Sequence, residues 1–110
     1  MLNKIHLITA CLLAALGLVH IGFTPFAYRQ FTHNALWFVG AGLALVFAGF
    51  LNVTAARIAG QDKVVHRLCL IANASVFALF CVALSLLREP QVFVGLLLSA
   101  VAFVATIKQK

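Results

Sequence analysis

ALWFVGAGLALVFAGFLNVTAA, residues 35–56, decides the fold of this chain. The stretch contains no Asp, Glu, Lys or Arg and no proline. It shows no alternation of apolar and polar residues, so a half-buried strand is excluded. A bilayer's hydrocarbon core is crossed by about 20 helical residues, with a range of about 17–25. Residues 35–56 therefore predict a transmembrane helix.

Comparable runs flank it at about 5–24, 68–87 and 92–107, each free of charged side chains. The last is short and needs little tilt or a thinned bilayer. Together they predict an all-α integral membrane domain over 1–110, a four-helix transmembrane bundle running up-down-up-down. The short connections around 29–34 and 88–91 force antiparallel neighbours. Lys4 followed by apolar residues imitates a signal peptide, but the run continues to transmembrane length.

Composition agrees. Of 110 residues, 65% are hydrophobic and 9% charged, against roughly a quarter charged in soluble domains. A soluble fold of this size would leave much of that apolar surface in water. The net charge of +6 does not point to nucleic acid, because the basic residues stand between apolar runs without Arg-aromatic clusters. Lys4, Arg57, Lys63, Arg67, Lys108 and Lys110 fall on one side of the predicted membrane, and Arg29 and Arg88 on the other. Cytoplasmic loops hold the Lys/Arg excess. The expected placement is a bacterial inner membrane with both termini and the middle loop cytoplasmic. Tyr28 and Trp37 are then anchors at the outer interface.

The polar residues within the spans are the candidates for function. Asn52 and Asn73 lie at equal depth, roughly 8–9 Å inside the cytoplasmic boundary at ~1.5 Å per residue. An interhelical clasp between the two amides would remove unsatisfied polar groups from lipid at a gain of about 0.6 kcal/mol, at most about 2. Thr9 and Thr106 have comparable depth. Gly40, Ala44, Ala48, Asn52 and Ala56 recur at spacing four, with Ala41 and Gly49 beside them, and small residues at that spacing allow close helix contact.

His20 sits roughly 12 Å below the outer interface, counting from Tyr28. An imidazole at that depth faces the bundle interior or a water-filled cavity. Similar depth on the other helices reaches Gly42, Cys81 and Ser99, with Ser85 nearer the surface. These five residues form the expected cavity lining. His6 and His66 start the first and third helices, where polar residues snorkel to the interface. A bis-imidazole site there is the alternative reading. Cys11, Cys69 and Cys81 lack CxxC spacing and read as reduced packing residues.

Absences narrow the chemistry. Without an intramembrane carboxylate there is no proton-coupled exporter of the small multidrug type. Without cysteine pairs there is no thiol oxidoreductase. No catalytic residue, metal site or cofactor is assigned. The segment LVHIGFTPF, residues 18–26, resembles four-helix DoxX-like proteins, in which a His and a Pro follow a glycine-containing first helix. Over so short a stretch the resemblance implies no function.

The leading expectation is a non-enzymatic membrane protein, a transport or channel unit or a lipophilic-ligand-binding bundle with a His20-lined cavity. Its alternatives are an accessory subunit of a larger membrane complex and a haem- or quinone-binding redox module. The expected partners are membrane lipids, with a homo-oligomer or larger complex as further candidates and no nucleic acid.

Overall fold

A computed structural model describes residues 2–58, 61–86 and 89–108. Those residues are 91% helix with no strand among them, and four of the helices they form are long and apolar enough to cross a membrane. They are α1 (Leu2–Gly22), α3 (His33–Ile58), α4 (Lys63–Leu86) and α5 (Pro90–Lys108), with a single turn, α2 (Thr24–Ala27), after the first. The molecule measures 46 × 22 × 21 Å, and its long axis matches a bilayer of about 40–45 Å including headgroups.

All four long helices begin before the apolar run, and α3 and α5 also end after it, for local reasons. Asp62 Oδ1 accepts the N–H groups of Val64 and Val65 at 2.9 and 3.2 Å, so α4 starts at Lys63 rather than at residue 68. This is an N-cap, satisfying donors that the first helical turn leaves free. Pro90 opens α5 at a position where its missing N–H costs nothing. Pro25 does the same in α2, while α1 stops at Gly22, short of the predicted residue 24. Leu87, Arg88 and Lys110, used for the predicted third-helix end and the charge count, lie outside the described residues.

Neighbours in sequence are neighbours in space. α1 packs most extensively on α3, and α4 on α5, while α1–α5 and α3–α4 contacts close the ring. Among the described residues α1 and α4 stand across the ring from each other without close backbone approach. Side-chain pairs such as His6 with Asn52 and Asn73 with Thr106 show consecutive long helices running antiparallel.

The interior is built from small residues. Lipid tails are as apolar as Leu, so large side chains gain nothing by turning inward, and close backbone contact decides packing. Trp37, Phe47, Phe50, Leu79 and Val82 accordingly face outward. At its centre Leu13, Leu45 and Ala102 form an apolar cluster, covered by Leu16, Val76, Phe80 and Leu98.

The α1–α3 contact rests on glycine. A Cβ added at Gly17 would stand 2.5 Å from the Gly42 carbonyl oxygen and 2.8 Å from the Val46 nitrogen. One at Gly49 would stand 2.8 Å from both the Ala10 oxygen and the Ala14 nitrogen. The spacing-four stripe is corrected here. Ala48, Asn52 and Ala56 are buried, but Gly40, Ala41 and Ala44 are exposed, and nothing lies within 4 Å of a Cβ at Gly40. Four residues advance the helix by about 400°, so a strict spacing-four row drifts about 40° per step and leaves the contact face.

Candidate functional site

At the end of the bundle that carries both the start of α1 and the end of α5, four helices meet in a buried polar cluster. Its members are His6, Asn52, Cys69, Asn73 and Thr106, each with at most 1% exposure. Asn52 and Asn73 form a reciprocal amide pair, with Nδ2 to Oδ1 distances of 2.7 and 2.8 Å in the two directions. The expected clasp is therefore present in the structure.

Its extent exceeds the expectation. His6 Nε2 lies 2.8 Å from Asn52 Oδ1, and the Cys69 thiol donates to the same oxygen at 3.2 Å. Asn73 Nδ2 donates to Thr106 Oγ1 at 3.1 Å, while Thr106 gives its own proton to the Ala102 carbonyl at 2.7 Å. A carbonyl oxygen only accepts, so His6 carries a proton on Nε2. His6 is thus a buried partner of Asn52, not a snorkelling side chain at the boundary. His66, half-buried near the start of α4, has its Nδ1 buried without a partner among the described residues. Among the described residues no group of three or more His, Cys, Asp or Glu side chains could hold a metal ion.

The expected His20 cavity divides. His20 is half-buried, stacked on Phe38 with ring centroids 3.7 Å apart and planes 18° from parallel. It adjoins Gly42, where an added Cβ would stand 3.1 Å from His20 Cδ2. Cys81 and Ser85 are exposed on α4, Ser85 returning its hydroxyl to the Val82 carbonyl. Ser99 is buried and donates to the Leu96 carbonyl at 3.0 Å. Only His20 and Gly42 of that set come together.

An open groove of about 420 Å³ lies instead where α1 ends, lined by residues including Ile21, Thr24, Tyr28, Arg29, Phe31 and Val39. None of the five expected cavity residues belongs to its lining. Its origin is the break in α1. The chain turns at Phe23, forms the single turn α2, and returns to α3 through 28–32. Tyr28 packs edge-on against Phe38 at 5.5 Å and holds one wall.

Thr24 is the unusual member. It is 7% exposed, and its hydroxyl has no hydrogen-bond partner among the described residues. Every other described Ser or Thr hydroxyl has one. Thr9, Thr54, Ser75 and Thr106 donate to the carbonyl four residues back, Ser85 and Ser99 to the one three back, and Thr32 accepts from the Ala35 N–H. A buried unsatisfied hydroxyl costs about 1–3 kcal/mol, and such groups in native proteins call for an explanation. His20 Nε2, four residues earlier in the chain, is also unpartnered.

Thr24 was missed because the sequence reading followed depth within the spans and stopped at the proline. Its signal was available: a threonine directly before Pro25 stands where the helix breaks, and a broken helix disturbs the backbone-bonding geometry a threonine normally uses. Comparison of the chain with family models, curated proteins and solved structures gives no match.

Proposed function

We propose that this chain is a non-enzymatic four-helix bundle of a bacterial cytoplasmic membrane that holds a lipophilic ligand in the groove between α1 and α3. The observation that carries the reading is the unpartnered, buried Thr24 hydroxyl in the lining of an otherwise largely apolar groove. A groove of about 420 Å³ falls within the range of about 300–1,000 Å³ typical of small-molecule sites. Apolar walls with a few placed polar groups are the usual make-up of such sites.

The proposed orientation has both termini cytoplasmic. Lys4, Arg57, Lys63, Arg67 and Lys108 belong to the end of the bundle that holds the polar cluster, and Arg29 to the end that holds the groove. The Lys/Arg excess then faces the cytoplasm, and the groove opens in the outer leaflet. A channel is less well supported, because the cluster occupies the bundle interior with mutually bonded side chains.

The test is mass spectrometry of the protein extracted from its own membrane in mild detergent. A co-purifying lipophile should be present, and Val39→Trp, which fills the groove, should release it while the helical circular dichroism persists. Retention of the same ligand by Val39→Trp would place the site elsewhere.

A second reading is an accessory subunit or homo-oligomer. Only Cys69 and Asn73 of α4 are buried, fewer than on any other long helix. A partner helix seated on α4 would appear as a defined oligomer mass in the same measurement.

A further inference from the structure

We propose that the α1–α3 groove selects a single-chain amphiphile with an anionic head, Arg29 pairing with the charge and Thr24 donating a hydrogen bond. This rests on the ligand-holding reading above and adds the chemical class of the ligand. The geometry supplies the argument from both ends of the molecule to be bound.

The head is specified by charge and by donors. Arg29 lines the groove, and no carboxylate does. The acids among the described residues are engaged elsewhere: Asp62 caps α4, and Glu89 accepts from Gln91. Among the described residues Arg29 has no ion-pair partner, and its fixed fork of N–H groups suits a carboxylate or phosphate. The Thr24 hydroxyl has a proton and nothing to give it to. An oxyanion answers both groups at once, whereas a cationic head would meet Arg29 with repulsion.

The tail is specified by shape and position. Ile21, Phe31 and Val39 supply apolar wall. The volume of about 420 Å³ lies near the low end for small-molecule sites, room for a head and the first part of one chain. One side of the groove is open, so the remaining chain can run into lipid. Tyr28 in the lining and Trp37, 67% exposed one turn above the start of α3, mark the level where headgroups sit.

The test uses the full chain in nanodiscs of a zwitterionic lipid, titrated with hexadecanoate, hexadecyl phosphate and hexadecanol and read by native mass spectrometry. Either anionic probe should bind, and the tighter of the two identifies the head. Arg29→Gln should weaken it by about tenfold or more, the loss of one charge-assisted hydrogen bond. Thr24→Val should weaken it by about threefold to tenfold. The ligand-free Thr24→Val protein should unfold at the same temperature as wild type or higher, which separates a ligand contact from a structural one. Hexadecanol binding as tightly as the anions, unaffected by Arg29→Gln but abolished by Val39→Trp, would overturn the anionic class and leave the ligand-holding reading standing. Failure of all three probes to bind would overturn both.

Discussion

Replacing Asn52 by Leu is the most searching perturbation of the bundle. The Asn52 amide accepts at Oδ1 from His6 Nε2, the Cys69 thiol and Asn73 Nδ2, and donates at Nδ2 to Asn73 Oδ1 and the Ala48 carbonyl. Leucine fills a similar space and removes every one of these bonds. Asn73 Nδ2 keeps Thr106, and the thiol is a weak donor that loses little. Asn73 Oδ1 loses the donor shown for it, and His6 Nε2 loses its 2.8 Å acceptor. Two buried groups left short at about 1–3 kcal/mol each give about 2–6 kcal/mol. Partners found by the unfolded chain in detergent lower that sum, and about 2–4 kcal/mol is expected. This exceeds the roughly 0.6 kcal/mol of an average interhelical bond in a membrane, because the amide serves several helices at once. A double-mutant cycle with Asn73→Leu sharpens the measurement. Removing both amides deletes the orphaned carbonyl with its former donor, so the double variant should cost less than the sum of the singles by about 1–2 kcal/mol. Detergent-to-SDS unfolding followed by far-ultraviolet circular dichroism reads both quantities. A cost for Asn52→Leu below about 1 kcal/mol, or a cycle that is additive, would refute the shared cluster.

Close packing gives a paired prediction: Gly49→Val should destabilise by at least about 1–3 kcal/mol, because its Cβ meets the α1 backbone at 2.8 Å. Gly40→Val should leave the unfolding midpoint nearly unchanged, since nothing lies within 4 Å of that position. Asp62→Ala should cost about 0.5–2 kcal/mol by removing the α4 cap, and Asp62→Asn should restore most of it, both read by thermal unfolding. Cysteine-accessibility labelling in intact cells should find a cysteine placed at Gln30 reachable from outside and one at Gln61 protected, the reverse pattern contradicting the proposed orientation.

The helices were legible because lipid imposes one strong rule, a long uncharged apolar run for each crossing. Their ends were less so. Charged residues such as Lys63 and Arg67 continue a helix beyond the apolar run, and the cap at Asp62 is a local hydrogen-bond event that hydropathy does not register. Depth counting paired Asn52 with Asn73 correctly, since equal depth puts two residues at one level. Depth gives no direction around the helix, however. Cys81 stands about 100° from Phe80, and it faces outward while Phe80 packs inward against the core and over Gly95. The same limit hid His6. It lies on the row His6, Thr9, Ala10, Leu13 and Gly17, which the structure buries. Spacings of three and four along that row mark an inward face, and this would have placed the imidazole inside despite its neighbour Lys4.

The two ends of the molecule are built for opposite purposes, and the contrast follows from where α1 can stay straight. From His6 to Gly17 it lies against α3 on glycine and alanine contacts, closed at the start by the amide cluster that ties in α4 and α5. Past Gly17 the contacting side chains grow. Ile21 and His20 already press on Gly42, and His20 occupies the face of Phe38. Phe23 still has helical dihedrals and bonds the Val19 carbonyl, and the ladder is interrupted by Pro25, which has no N–H to continue it. The groove lies beside this interruption, and Thr24, in its lining, keeps a buried hydroxyl without a partner among the described residues. A bundle held rigid by a satisfied polar cluster at one end can sustain an unsatisfied site at the other, where strain is concentrated in native proteins that bind something.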